Sequence, residues 1–221
     1  MVTTEVCVFN ILPTLTLKDL LSPSHTHQKS LSLVRSQPGC LALYWGIGTQ
    51  DPQKLIWFIE WDSLSSHQLF QSQPEYPDFT SNILSALTSP TITDPPPVFF
   101  LHYNFTHPLS SLIKQQTATK NPYLEYFSLS ASPSLSCDTI STTISNVQAD
   151  LNTYDGGVPS TFNFAIDEGQ EHNILCLVCW REQSQHETFI QTEVFRENAL
   201  KLNELAVSAP VVFHIHLQEL E

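Results

Sequence analysis

The stretch Lys54-Leu-Ile-Trp-Phe-Ile-Glu-Trp61 returns later in the chain as Asn173-Ile-Leu-Cys-Leu-Val-Cys-Trp180. The two closing tryptophans are 119 residues apart, and His67 recurs as His186 at the same offset. A repeat of this length indicates a domain that was duplicated within one polypeptide. The 221 residues of the chain are enough for two domains of roughly 100 residues each. We therefore predict a first unit at residues 1–104, a linker at 105–122 and a second unit at 123–221.

Both halves show the same order of predicted elements. In the first half the patterns predict strands at 5–12, 40–48, 55–61 and 98–103, helices at 28–37 and 63–87, and a proline-rich loop at 89–97. The longer helix should break near Pro74 and Pro77, because proline interrupts a helix. In the second half they predict strands at 123–129, 161–166, 174–180 and 211–217, and helices at 138–152 and 182–206. This is the split βαβ order of ferredoxin-like units.

The predicted strands at 55–61 and 174–180 are apolar at nearly every position, which is typical of a strand covered on both faces. A ferredoxin-like sheet carries helices on one face only, so its other face needs a second cover. Two units in one chain can provide that cover for each other. We therefore predict an α+β protein in which tandem ferredoxin-like units form an intramolecular dimeric α+β barrel.

Composition and charge exclude several classes of function. Apolar residues make up 41% of the chain, which allows a sizeable core. The net charge of −13 argues against binding to nucleic acid or anionic membranes, because both require basic clusters. The sequence has no apolar run long enough for a transmembrane helix. The first residues lack the basic segment of a secretory signal, so we expect a cytoplasmic protein.

The sequence gives no sign of a cofactor or a disulfide framework. Its cysteines are five in number, and Cys176 and Cys179 are three apart in a predicted strand. Side chains at that spacing point to opposite faces, so we interpret these two residues as buried thiols. The sequence contains no nucleotide-binding fingerprint, phosphate loop or nucleophile elbow. We therefore predict that the protein works without a cofactor.

The segment Glu60-Trp-Asp-Ser63, followed by His67, Phe70, Ser72 and Pro74-Glu-Tyr76, resembles the signature of the antibiotic-biosynthesis-monooxygenase family. The resemblance covers the strand–helix core of the first half and part of the second. It implies a dimeric α+β barrel fold with a ligand pocket between each sheet and its helices. Relatives include cofactor-free quinone-forming monooxygenases, haem-degrading enzymes, polyketide cyclases, isomerases and proteins with no known activity.

Two subgroups of this family can be compared residue by residue. Haem-degrading relatives use an asparagine on the first strand with a tryptophan and a histidine on the long helix. Asn10 matches the asparagine, but Phe70 stands at the tryptophan position and Thr80 near the histidine position. The plant polyketide cyclase uses a helix histidine and a nearby tyrosine, where this chain has Tyr76 and Phe70. Neither catalytic set is therefore present unchanged.

Glu60 is the leading catalytic candidate, because it lies in an otherwise apolar strand on the face of Ile56 and Phe58. Burial disfavours the charged form of a carboxyl, which suits a general acid or base. Alternatively, Glu60 lies near the strand end and binds a helix N-terminus or a surface lysine. We predict Glu60 as the acid/base, with Tyr76 and Tyr44 donating hydrogen bonds to a developing enolate or oxyanion.

The remaining candidates are aromatic and polar residues expected to bind substrate. They are Asn10, Trp45, Phe58, His67, Phe70, His102, Tyr126 and Phe189. The recurrence of His67 as His186 favours packing against the preceding tryptophan over a catalytic role. His214 and His216 share a strand face, and His102 could complete a metal site with them, but no carboxylate partner is identifiable. We predict no metal site.

Together these features predict a cofactor-independent enzyme that cyclises or isomerises a small hydrophobic metabolite, polyketide- or terpenoid-like, by acid/base chemistry. One alternative is a cofactor-free monooxygenase acting on a phenolic substrate. A second alternative is a non-catalytic ligand-binding or interaction module. In each case the expected partner is a small hydrophobic metabolite, not nucleic acid or a membrane, and the chain should be a monomer (a pseudo-dimer) or a homodimer.

Overall fold

The computed structural model describes residues 1–89, 98–116 and 122–220. The chain divides into two units, of which the first comprises Met1–His102 with Leu217–Glu221 and the second comprises Tyr103–His216. The C-terminal segment, which the sequence assigned to the second unit, thus groups with the first. Most of the predicted proline-rich loop at 89–97, and residues 117–121 of the predicted linker, lie outside the described residues.

The first unit is a ferredoxin-like α+β unit with one added strand. Its elements are β1 (Thr3–Asn10), α1 (Leu17–Leu20), α2 (Thr26–Arg35), β2 (Cys40–Ile47), β3 (Lys54–Trp61), α3 (Leu64–Gln71), α4 (Tyr76–Leu87) and β4 (Val98–Tyr103). The sheet has the order β4-β1-β3-β2-β9, where β9 is Gln218–Glu219. β3 runs antiparallel to both β1 and β2, and β9 pairs antiparallel with β2.

The helices of the first unit cover one face of its sheet. On β3, Trp57, Ile59 and Trp61 belong to one continuous core cluster with residues of α2, α3 and α4. Because strand side chains alternate, Phe58 and Glu60 point to the opposite face, and both are buried there as well. The structure thus confirms the prediction from the sequence that this strand is buried on both faces.

The second unit repeats the arrangement. Its elements are α5 (Leu109–Gln115), β5 (Tyr123–Ser130), α6 (Cys137–Thr153), β6 (Ser160–Phe164), β7 (Asn173–Trp180), α7 (Gln183–Phe189), α8 (Glu193–Leu205) and β8 (Val211–His216). The sheet order is β6-β7-β5-β8, which is the order of the first sheet counted from the other edge. The α+β class and the tandem ferredoxin-like units are therefore confirmed. Among the described helices, none is both long and apolar enough to cross a membrane.

The prediction of one continuous helix at the end of the second unit is wrong. The sequence predicted a single helix at 182–206, but the structure has α7 and α8 with a break between them. Thr192 begins α8, and its Oγ1 accepts a hydrogen bond from the backbone N–H of Phe195 at 3.1 Å. A threonine in this position satisfies a donor that the first turn leaves open. The apolar stripe continues across the break and conceals it in the sequence.

Candidate functional site

A buried polar cluster lies on the helix-covered face of the first sheet. We call it the first cluster: Glu5 on β1, Trp61 on β3, His67 on α3 and His102 on β4. Glu5 Oε2 accepts a hydrogen bond from Trp61 Nε1–H at 3.0 Å and lies 3.4 Å from His67 Nε2. His67 Nδ1 lies 2.8 Å from His102 Nε2. The N-cap residue Ser63 starts α3, so His67 follows within the first turns and stacks on Trp61.

The second unit contains the same four residue types on the equivalent elements. This second cluster consists of Glu125 on β5, Trp180 on β7, His186 on α7 and His214 on β8. Trp180 Nε1–H donates to Glu125 Oε2 at 3.0 Å, and Glu125 Oε2 lies 3.8 Å from His186 Nε2. His186 Nε2 lies 3.2 Å from His214 Nε2. The internal duplication has therefore preserved a constellation of side chains as well as a fold.

Only half of this constellation can be recognised as a repeat in the sequence. The tryptophans and the helix histidines recur at an offset of 119 residues, but Glu5 and Glu125 are 120 apart, and His102 and His214 are 112 apart. A search at one fixed offset therefore misses the glutamates and the strand histidines. The pairing in the two sheets shows that the glutamates are equivalent: Thr3 pairs with Trp61 and Tyr123 pairs with Trp180, and Glu5 and Glu125 each lie two residues further along.

The two clusters differ in the space beside them. The helix-side cavity of the first unit is only about 90 Å³. The helix-side cavity of the second unit is about 410 Å³, and its wall includes Glu125, His186 and His214. Apolar residues of the sheet and of α6 and α8 form most of the remaining wall, among them Val178 and Leu202. A volume of this size is in the range of small-molecule sites.

Asn198 on α8 is a further polar residue of this cavity, and sequence analysis missed it. The side chain lines the cavity and is 3% exposed. Its Oδ1 accepts a hydrogen bond from Lys201 Nζ at 3.4 Å, which orients the amide. Among the described residues, Asn198 Nδ2 has no hydrogen-bond partner. An unpaired buried donor costs roughly 1–3 kcal/mol, so an acceptor on a bound molecule would gain a partner here.

Burial shifts the pKa values of the second cluster towards uncharged forms. It raises the pKa of Glu125 to about 7, although the hydrogen bond from Trp180 works in the other direction. Burial lowers the pKa of His214 to about 4, and the neighbouring His186 adds to this shift. Burial also lowers the pKa of His186, against the attraction of Glu187. Both imidazoles are therefore neutral at neutral pH.

The structure separates the three residues that the sequence predicted as catalytic. Glu60 and Tyr44 lie on the face of the first sheet that points away from α2 and α4, since Ala42 pairs with Glu60 and Tyr44 pairs with Phe58. The pKa of Tyr44 is raised by burial and by the nearby charges of Glu219 and Glu60. Tyr76 instead lines the small helix-side cavity.

The residues predicted to bind substrate are also distributed over both units and both sheet faces. His67 and His102 belong to the first cluster, Phe70 lines the first cavity and Phe189 lines the second. The remaining four do not line either cavity. They are Asn10, which accepts a hydrogen bond from Lys54, Trp45, which packs on His27, Phe58, which is buried on the opposite face, and Tyr126, which contacts Phe213.

The histidines considered for a metal site also fall into separate groups. His102 lies with His67 and Glu5, whereas His214 lies with His186 and Glu125. His216 is exposed, and its ring centroid lies 5.1 Å from that of Tyr123. The carboxylates that lie beside these two groups of histidines are Glu5 and Glu125.

No protein-family model matches the sequence, and no curated protein matches it at a significant level. Solved structures do match over nearly the whole chain. An anthrone oxidase-like protein has a TM-score of 0.69 at 12% identity, covering 99% of this chain and 93% of that one. A candidate monooxygenase from Lactobacillus acidophilus NCFM has a TM-score of 0.61 at 8% identity, covering 99% and 95%. A candidate chlorite dismutase has a TM-score of 0.62 at 10% identity, covering 98% and 94%. The resemblance inferred from the sequence is thus confirmed at the level of the fold.

Proposed function

We propose that the chain is an enzyme that binds a small, largely apolar, oxygen-bearing molecule in the cavity of the second unit. The second cluster would remove a proton from one atom of that molecule and return it to another. The single observation that carries this proposal is the cavity of about 410 Å³, whose apolar wall includes one partly buried Glu–His–His cluster. The expected cytoplasmic location and the monomeric or homodimeric state are part of the same proposal.

The cavity wall supports a substrate with a specific polar pattern. Its apolar side chains favour a hydrophobic body. Asn198 Nδ2 offers a donor to a carbonyl or phenol oxygen of the substrate. Glu125 is the one carboxylate among the described residues that line this cavity, so acid/base chemistry would be localised at the second cluster. A ketone-bearing polyketide or terpenoid fits this combination.

The reaction class that we favour is cyclisation or isomerisation through an enolate. The second cluster would remove a proton from carbon next to a carbonyl group, and the Asn198 amide would donate a hydrogen bond to the enolate oxygen. Hydrogen bonds aimed at developing charge are stronger in a site that excludes water. Returning the proton at another atom, or closing a ring, would complete the reaction without a change in oxidation state.

The test compares the metabolites of the native host by LC–MS after deletion of the gene and complementation with variants. We expect deletion to remove one product and to accumulate an isomeric precursor. Complementation with Glu125→Gln should leave the precursor unconverted, whereas Glu5→Gln, the matched change in the first cluster, should restore the product. Both variants must show the circular dichroism of the wild type. A host whose product returns with Glu125→Gln would refute the proposal.

A second candidate is cofactor-free oxygenation of a phenolic substrate, which two of the fold neighbours favour, a candidate monooxygenase and an anthrone oxidase-like protein. The second cluster would then form the phenolate, and the substrate anion would react with O₂. The precursor that accumulates on deletion would be lighter by one oxygen atom, and turnover would consume O₂. An unchanged metabolite profile would favour the remaining alternative, a non-catalytic ligand-binding module.

A further inference from the structure

We infer that the second cluster is a coordination site for one divalent first-row transition metal ion, with Glu125, His186 and His214 as its protein ligands. The inference deepens the proposed function and rests on it for its catalytic meaning, because it names the group that would act at the cavity wall. Coordination itself can be measured without any substrate.

The geometry of the three donor atoms carries the inference. His186 Nε2 faces two partners at once, His214 Nε2 at 3.2 Å and Glu125 Oε2 at 3.8 Å. All three donor atoms lie within 4.8 Å of one another. Bonds of 2.0–2.2 Å at tetrahedral angles place neighbouring ligand atoms about 3.3 Å apart. The separation of the two histidine nitrogens matches this value, the His186–Glu125 separation is slightly longer, and the third pair lies within 4.8 Å.

The donor set defines the class of metal. Two imidazole nitrogens and one carboxylate oxygen are typical of catalytic zinc sites and of non-haem iron(II) sites. Calcium and magnesium prefer oxygen ligands, so they fit less well. The ion would keep coordination positions directed into the cavity, since all three ligands line its wall. A water molecule bound there would be acidic enough to supply a hydroxide near neutral pH.

The surrounding residues hold the ligands in place. Trp180 Nε1–H donates to Glu125 Oε2 at 3.0 Å, so this hydrogen bond orients the carboxylate. The ring of Tyr123 stacks on His214 with a centroid distance of 5.1 Å and an interplanar angle of 10°. Trp180 packs edge-on against His186. Such outer contacts fix ring and carboxylate orientation in metal sites.

The first cluster has the same residue types but a different arrangement. His67 directs Nε2 towards Glu5 and Nδ1 towards His102, at 3.4 and 2.8 Å. A neutral imidazole with one ring proton satisfies both contacts, by donating to the carboxylate and accepting from the second histidine. All three residues are buried, and the neighbouring cavity is only about 90 Å³. We therefore assign the metal to the second cluster and interpret the first as a hydrogen-bonded chain.

The test uses the full chain after treatment with a chelator, titrated with Co²⁺ and monitored by its visible absorption, with Zn²⁺ calorimetry as a second measurement. We expect one equivalent of Co²⁺ per chain. His214→Ala should weaken binding by roughly 100-fold or more, because loss of a ligand exceeds the 10–100-fold effect of losing an outer contact. His102→Ala, the matched change in the first cluster, should leave the affinity unchanged.

Glu125→Gln keeps the volume of the side chain and tests the same site if His214→Ala fails to fold. Failure of the wild type to bind Co²⁺, binding that survives both changes, or binding lost equally in His102→Ala would each overturn the inference. The metabolite experiment then separates the two proposals. A protein that binds no metal but needs Glu125 for product formation supports the reaction alone. If the wild type binds the metal but Glu125→Gln still restores the product, the proposed reaction is refuted and the metal site is retained.

Discussion

Acidification should destabilise the protein through one buried histidine of the first unit. His27 on α2 is 0% exposed. Its Nδ1 lies 3.1 Å from the carbonyl oxygen of Leu20, and its Nε2 accepts a hydrogen bond from Trp57 Nε1–H at 3.1 Å. One neutral tautomer satisfies both contacts. A second ring proton would face the indole N–H of Trp57, so the folded protein resists protonation of this residue.

The size of the effect follows from the pKa shift. Burial lowers the pKa of His27 to about 4, although the hydrogen bond to Leu20 works in the other direction. In the unfolded chain the pKa is about 6.5, so the unfolded state binds the proton first as the pH falls. The stabilisation is complete above about pH 6.5 and is lost as the pH falls towards 4. The total is about 3 kcal/mol, of which about 2 kcal/mol is lost by pH 5.

The assay is urea unfolding at about pH 7 and about pH 5, followed by tryptophan fluorescence. His27→Gln can keep both hydrogen bonds, since its amide can donate to Leu20 and accept from Trp57, but it does not titrate. Between the two pH values, the free energy of unfolding should fall by about 2 kcal/mol more in the wild type than in this variant. His107→Gln, a change at an exposed histidine, should behave like the wild type. An equal loss in the wild type and His27→Gln would refute the reasoning.

Three further predictions concern α8, the second cavity and the sequence-based site. Thr192→Ala removes the N-cap of α8 and should destabilise the protein by about 1 kcal/mol in urea unfolding. Thr188→Ala, a change at an exposed residue of α7, is the control. An unchanged unfolding midpoint in Thr192→Ala would contradict the capping role. Ala199→Phe adds a ring to the cavity wall and should abolish product formation in the complemented host without lowering the melting temperature; full activity would place the substrate elsewhere. If Glu60 is the acid/base, as the sequence suggested, Glu60→Gln should abolish the product, and a normal product level would exclude it.

The fold could be predicted because its signals are local. The doubly apolar strands and the prolines at 74 and 77 each depend on a few neighbouring residues, and the recurrence of Trp61 as Trp180 can be read from the sequence without knowledge of the fold. The break at Thr192 was missed because a capping threonine is a weaker signal than a proline, and apolar spacing continued on both sides of it. Short-range chemistry therefore gave the elements and their order, but not every boundary.

The clusters could be predicted only in part, because their members meet through tertiary structure. Which glutamate reaches which histidine depends on the pairing of β1 with β3 and on where α3 crosses the sheet. Glu60 was assigned correctly to the face of Phe58. The helices cover the other face of that strand. Because the strand is apolar on both sides, its sequence does not show which face the helices cover. The difference between cavities of about 90 and 410 Å³ arises from packing between distant segments.

The pairing of β9 with β2 has a consequence for how the chain is made. Gln218 and Glu219 complete the sheet of the first unit by binding Trp45 and Tyr44, although the whole second unit lies between them in sequence. During translation the sheet of the first unit therefore lacks its outer strand until the second unit has been synthesised. Until then β2 presents an open edge to other nascent chains. Truncation before Leu217 should thus increase aggregation during synthesis more than it lowers the stability of the folded protein.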